Sequence, residues 1–249
     1  MPNRKIFQWS WDSAEAQDSF VKTVGFDDKE KSLAQVKQIE KLLELKPCKM
    51  IDIGCGNGRQ TQIFACAGYD VSGIDISEKF LKEARKNAEN ENTDINYRLL
   101  RASQLQQRDE YDFALAYHHS IGFLSEEELP LHFQRIQECL KPNGVFLYEM
   151  AGPKLCGKIP PPYKNWEETE DNFVLVDKKI ENGYREEVCI FIEKATGDIK
   201  EFREKQRAFS LAELKKILKQ AGFKHIECYA DLQKAPATKS NFGIFVCKK

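Results

Sequence analysis

The chain has 249 residues, 41% of them hydrophobic and 31% charged, and its 38 basic and 39 acidic side chains leave a formal net charge of −1. At about 150 residues per domain this length lies between one domain and two, and the composition excludes collagen-like and disordered classes. The balanced charge argues against nucleic acid as a partner. No apolar run approaches the roughly 18 residues of a membrane span, and the opening MPNRKIFQWSW lacks the apolar core of a secretion signal. A soluble, cytoplasmic protein with no membrane partner is expected.

Leu33, Val36, Ile39, Leu42 and Leu43 fall three and four apart and predict a first helix that Pro47 stops. KMIDIGCG then reads as a short strand entering glycines, Gln60 to Ala67 as a helix, and DVSGID as a second strand. Ser77 is placed to cap a helix with Phe80, Leu81, Ala84 and Ala88 on one face. INYRLL and YDFALAY read as strands three and four. Ser125 with Glu128 forms a capping box for a helix, and VFLYEM follows as strand five. Strands alternating with helices imply a parallel sheet with right-handed crossovers. Over 151–209 the rhythm breaks: a Pro-rich loop, GKIPPPYKNW, precedes three strand-like runs separated by Asn182-Gly183 and Thr196-Gly197-Asp198. A second capping box, Ser210 with Glu213, opens the last helix, and HIECYADL and NFGIFVCKK close the chain as strands. The expected organisation is a main domain of residues 1–150 and 210–249 with residues 151–209 inserted as an antiparallel β cap.

The eight cysteines include no C-x-x-C pair, and no histidine stands at zinc spacing from any of them. Reduced thiols are expected, with no disulfide and no metal site.

The densest motif is Ile51-Asp52-Ile53-Gly54-Cys55-Gly56-Asn57-Gly58. Glycines at a strand end let the backbone turn sharply and approach a ligand closely. Dinucleotide dehydrogenases use G-x-G-x-x-G; here the third glycine comes one position earlier and Asp52 precedes the first by two. A carboxylate beside the loop repels a diphosphate and suits a ligand carrying an ammonium or sulfonium. Asp75 ends the second strand 21 residues after Gly54, where a carboxylate would accept hydrogen bonds from a ribose diol.

These residues resemble the class I S-adenosylmethionine-dependent methyltransferase superfamily, in its small-molecule, methyltransf_25-like type. MIDIGCGNG is similar to the glycine-rich first motif and VSGIDIS to the second; YDFALAYHHSIGFL, LKPNGVFLYEM and RAFSLAELKKILKQAGF resemble later segments. The resemblance implies an α/β fold with a Rossmann-like seven-stranded sheet in order 3-2-1-4-5-7-6, and S-adenosyl-L-methionine as cofactor. It assigns cofactor contacts to Asp52, Gly54, Cys55, Gly56, Gly58, Asp75, Ile76, Ala102, Ser103 and Tyr117. Arg101 stands where the family often has an acid for the adenine amine, and a guanidinium cannot accept a hydrogen bond. Adenine is then read by the Ala102 and Ser103 backbone or by the Ser103 hydroxyl.

Methyl transfer from a sulfonium needs mainly alignment, and a base only where the acceptor must lose a proton. Tyr117-His118-His119-Ser120 falls at the end of the fourth strand, so His118 and His119 either act on the acceptor or only touch cofactor, with His119 favoured as the base. Glu149, ending the fifth strand, is a third catalytic candidate, able to grip an amine or take a proton. Tyr163 and Trp166 either stack on substrate or pack the cap. Trp9 and Trp11 either form a lid, where aromatic faces favour the sulfonium, or anchor the first helix. Neither Asn/Asp-Pro-Pro-Tyr/Phe nor Pro-Cys follows the fourth strand, which argues against amino-directed DNA and cytosine-C5 chemistry. A small-molecule methyl acceptor, taking the group on O or N, is expected; methylation of a tRNA or protein, and a non-catalytic cofactor-binding role, are the alternatives.

Overall fold

The computed structural model describes residues 3–8, 13, 16–17, 29–118, 120, 124–150, 163–238, 241 and 243–249. In chain order the elements are β1 (Arg4–Gln8), α1 (Lys29–Leu43), β2 (Lys49–Ile53), α2 (Arg59–Cys66), β3 (Asp70–Asp75), α3 (Glu78–Asn90), β4 (Asn96–Leu99) and a 3-10 turn (Ala102–Gln104). They continue with β5 (Tyr111–Ala116), α4 (Leu129–Cys139), β6 (Leu140–Glu149), β7 (Tyr163–Glu168), β8 (Asn172–Glu181), β9 (Tyr184–Glu193) and β10 (Ile199–Arg207). The last three are α5 (Leu211–Gln220), β11 (His225–Tyr229) and β12 (Ile244–Lys248). The described residues form two units, one within Asp27–Gly152 and Ser210–Lys249, the other within Met1–Phe26 and Pro153–Phe209.

The larger unit is a seven-stranded sheet in the order β4-β3-β2-β5-β6-β12-β11. Numbered within this unit alone, the order is 3-2-1-4-5-7-6, as expected. The strands from β2 to β6 pair in parallel, and β12 runs antiparallel to both β6 and β11. Parallel strands are covered on both faces and so read as continuous apolar runs. Phe113, Leu115, Leu147 and Val246 pack under Val36, Ile39 and Leu42 of α1 and Phe64 of α2. On the other face Phe146 and Tyr148 meet Phe133 of α4, with ring centroids 6.1 and 5.2 Å away. The buried face of α1 runs through Ser32, whereas Leu33, assigned inward from its spacing, is 42% exposed. Ser32 stands four residues before Val36 and Leu33 only three, and the packed face follows the former.

Two of the three predicted caps form: Ser77 Oγ accepts from Phe80 N–H, and both arms of the Ser210–Glu213 box close. Ser125 and Glu128 exchange the same pair of bonds, but in the turn before α4, whose N-cap is Glu128 without a side-chain cap bond. Tyr148 shows the opposite economy. Its ring is fully buried and its hydroxyl has no hydrogen-bond partner among the described residues. A buried unsatisfied hydroxyl costs about 1–3 kcal/mol. Tyr148→Phe is therefore expected to leave stability unchanged or raise it, measured by urea denaturation; a loss beyond about 1 kcal/mol would reveal a partner for the hydroxyl.

The second unit is a five-stranded sheet, β1-β10-β9-β8-β7, antiparallel except for β1, which lies parallel to β10. Three of these strands were legible in the sequence. The Asn182-Gly183 turn has φ of 51° and 76°, which suits a two-residue hairpin. The structure adds β7, which the sequence suggests is the end of the Pro-rich loop, and β1. Arg4–Gln8 thus belongs to the cap sheet and not to the cofactor unit expected to span residues 1–150. Here β1 covers the edge that β10 would otherwise expose. Phe7 stacks on Phe202 at 5.1 Å, and Arg4 and Arg203 close on Glu201, which is 1% exposed. The two guanidiniums, Arg4 first, hold the Glu201 carboxyl below the usual range.

Candidate active site

Two loops meet at the carboxyl ends of β2 and β5, where the winding of the sheet reverses and open α/β sheets bind ligands. The first follows β2. Gly54, Gly56 and Gly58 all have positive φ, of 69°, 56° and 79°. The N–H groups of Gly54 and Cys55 donate to Ile74 O, and Gly56 N–H donates to Asp75 Oδ2 at 2.8 Å. Ser77 N–H donates to the other oxygen, Asp75 Oδ1, also at 2.8 Å. Asp75 thereby ties the glycine loop to the start of α3. Burial still pushes its carboxyl above the ordinary value, against the pull of these backbone donors.

The glycines are not equivalent. A Cβ on Gly58 would lie 2.3 Å from Tyr97 Oη, whereas a Cβ on Gly56 would meet nothing within 4 Å. Gly58 is packed against β4, and Gly56 faces open space. Beneath the loop Asp52 is buried, and its Oδ2 accepts the Thr61 hydroxyl at 2.6 Å. Burial pushes Asp52 up to about 7, opposed by Thr61. Thr61 is the third residue of α2, so the carboxylate braces the helix start from below, where the helix dipole favours negative charge. Cys55 Sγ lies against the Gly56 carbonyl at 3.9 Å.

The second loop follows β5. Ser120 packs on Gly54, where an added Cβ would fall 2.3 Å from Ser120 Cβ. Tyr117 is buried, with His118 edge-on to its ring at 4.8 Å. His118 takes φ of 55°, and its backbone N–H donates to Glu149 Oε2 at 2.6 Å. Its exposed ring turns to Arg59 Nη2 (2.9 Å) and Gln35 Oε1 (3.1 Å). Burial pushes Glu149 up to about 7, against the His118 N–H.

The methyltransferase-domain family Methyltransf_25 matches residues 50–144, the span from β2 into β6 that builds both loops. A protein of Geobacillus sp. strain WCH70 named as a methyltransferase is 27% identical over 208 residues, 81% of this chain and 84% of its own length. An S-adenosylmethionine-dependent methyltransferase from Clostridium acetobutylicum superposes with a TM-score of 0.75 at 16% identity, covering 94% of this chain and 97% of that one. The sugar N-methyltransferase KedS8 from Streptoalloteichus sp. superposes with a TM-score of 0.70 at 14% identity, covering 98% and 96%. Residues 50–144 form a methyltransferase domain that uses S-adenosylmethionine.

The methyltransferase site fits that cofactor on its own geometry. Open space above Gly56 admits a ligand against bare backbone, and the Asp75 oxygens, each holding one N–H, keep lone pairs for hydroxyl groups. Ile76, half-buried, follows Asp75 and offers an apolar edge. Ala102 and Ser103 open a 3-10 turn, so their N–H groups have no partner within it. Gln104 takes up the Arg101 N–H with its own side chain at 2.9 Å.

Of the remaining candidates, His119, Trp9 and Trp11 lie outside the described residues. Tyr163 and Trp166 lie on β7 in the second unit, opposite Lys178 and Leu175 of β8. Their odd spacing puts them on opposite faces of the strand, so the sheet does not bring them together; Trp166 is 63% exposed and lies near Phe173. Gln35, Arg59 and Ser120 were not singled out from sequence. Arg59 follows the glycine loop directly, which is a usable signal; nothing marks Gln35 among the polar residues of α1.

The described cysteines are free thiols, with Cys139 and Cys247 buried; Cys156 lies outside the described residues. Among the described residues no three metal-ligating side chains gather, and no helix is long and apolar enough to cross a membrane.

Proposed function

We propose that the enzyme transfers the methyl group of S-adenosylmethionine to an oxygen or nitrogen atom of a small molecule. The observation that carries this reading is the exit of β5: Tyr117-His118-His119-Ser120 stands where polymer-directed amino or cytosine methylation would need Asn/Asp-Pro-Pro-Tyr/Phe or Pro-Cys. The net charge of −1 also disfavours polyanionic acceptors. The likeness in fold to a sugar N-methyltransferase agrees with a small acceptor.

In this reading Asp75 accepts the ribose hydroxyls, Ile76 flanks the adenine, and the Ala102 and Ser103 backbone reads its edge. Gly54, Cys55, Gly56 and Gly58 present backbone to the amino-acid end, with Asp52 beneath them. Tyr117 walls the reacting centre. Bound S-adenosylmethionine supplies an electrophilic methyl group. The protein contributes orientation and exclusion of water, which together supply most of the acceleration in such reactions. The test is incubation with methyl-labelled donor and a cell extract, separated into small-molecule and polymer fractions. Label in the small-molecule fraction is expected; label only in protein or RNA would overturn the reading.

A further inference from the structure

Three side chains were candidates for work on the acceptor, and the geometry separates the two described ones. His118 Nε2 lies 2.9 Å from Arg59 Nη2, which can only donate, and 3.1 Å from Gln35 Oε1, which can only accept, so it is engaged in either tautomer. His118 contributes its backbone N–H to Glu149 instead. Glu149 closes β6 beside the end of β5, half-buried, with Oε2 held and Oε1 without a hydrogen-bond partner among the described residues. No described lysine or arginine pairs with it. Its titratable neighbours are Tyr117 and His118 from the β5 exit and Tyr148 from its own strand; opposite it on β12 stands Ile244, which carries no charge. A carboxylate held by one N–H, its other oxygen open and no cation beside it, is a site for a cation that also donates hydrogen bonds.

We infer that the methyl acceptor is a small aliphatic amine and that Glu149 Oε1 receives a proton from its ammonium form. This rests on the small-molecule reading above and narrows it to nitrogen. An ammonium group has no lone pair for attack. Transfer of one N–H proton to Oε1 breaks the N–H bond, leaves its electron pair on nitrogen and forms the O–H bond of a neutral carboxyl, which later releases the proton to water. The burial that raises the Glu149 carboxyl to about 7 matches its proton affinity to this task near neutral pH. The neutral tyrosines beside it wall the site without competing for the cation.

The test uses full-length protein carrying glutamate labelled with carbon-13 at the side-chain carboxyl, with the Glu149 resonance identified by its loss in Glu149→Gln. The resonance is expected to titrate near neutrality and to shift on addition of n-propylamine but not of n-propanol. Titration in the ordinary carboxylate range, or equal response to the two probes, overturns the inference. With labelled donor and the small-molecule fraction of an extract, label is expected in amines, and Glu149→Gln is expected to lower that turnover by about 10²-fold or more with unchanged affinity for S-adenosylhomocysteine. Label on hydroxyl oxygens alone overturns the role of Glu149 and leaves the small-molecule reading standing; label in polymer alone overturns both. Unchanged affinity for S-adenosylhomocysteine and an unchanged melting temperature separate a chemical defect from a folding one.

Discussion

Asp75→Ala is expected to weaken binding of S-adenosylhomocysteine by at least about 100-fold, read by isothermal titration calorimetry. The carboxylate carries two loads. It accepts Gly56 N–H and Ser77 N–H, each at 2.8 Å, and so sets the glycine loop against the start of α3. It also offers the remaining lone pairs to the ribose. Hydrogen bonds to a charged group contribute roughly 1.5–3 kcal/mol each, so losing two ribose contacts alone accounts for a factor of about 100 or more. The freed N–H groups add a stability loss of about 1–3 kcal/mol. Asp75→Asn keeps one acceptor oxygen and should fall between. Wild-type affinity in the alanine variant would remove Asp75 from the cofactor site.

Valine at two neighbouring glycines is expected to fail in two different ways. At Gly56 a side chain enters open space, so the cost to folding is that of a left-handed residue, about 1–2 kcal/mol, while the ligand loses its approach to the backbone. Gly56→Val should therefore remain folded and lose affinity by more than about 100-fold. At Gly58 the same change drives a Cβ to 2.3 Å from Tyr97 Oη and 3.0 Å from Ala84 Cβ, at φ of 79°. Overpacking of about 1–3 kcal/mol adds to the backbone strain, and together they remove a substantial part of the roughly 5–15 kcal/mol that stabilises a typical domain. Gly58→Val should show a depressed melting temperature before any question of binding. Tyr97→Phe, which removes the clashing oxygen, should restore part of it, because residues in contact couple. Equal effects at the two positions would show that the glycines share one role.

The strands of the main sheet and both glycine-loop acids were legible because their signals are local, whereas the strand order came from the family resemblance. A strand buried on both faces is a continuous apolar run, as in KMIDI, and a capping box needs Ser or Thr three residues before a glutamate. The turn chemistry of Asn182-Gly183 is equally local. What was not legible depends on partners far away in the chain. β1 is five residues, mostly exposed, and becomes a strand only because β10, some 195 residues later, has an edge to cover. Tyr163 and Trp166 looked like a pair in a loop, and the strand they occupy sends them to opposite faces. Gln35 reaches His118 across 83 residues, and its place on α1 carries no sign of that.

The amino-acid sequence by itself determined the chemistry that is possible: an acid, three glycines and a second acid 21 residues after the first glycine define a loop for a nucleoside-bearing cation, since backbone freedom and charge are properties of the residues themselves. Only the tertiary structure shows how the two described candidates at those strand ends are held. His118 and Glu149 are equally plausible as letters at two strand ends. Folding brings Arg59 onto one and only a backbone N–H onto the other. A ring nitrogen already contacted by two neighbours is poorly placed to take a proton, whereas a carboxyl oxygen without a partner among the described residues is open to one.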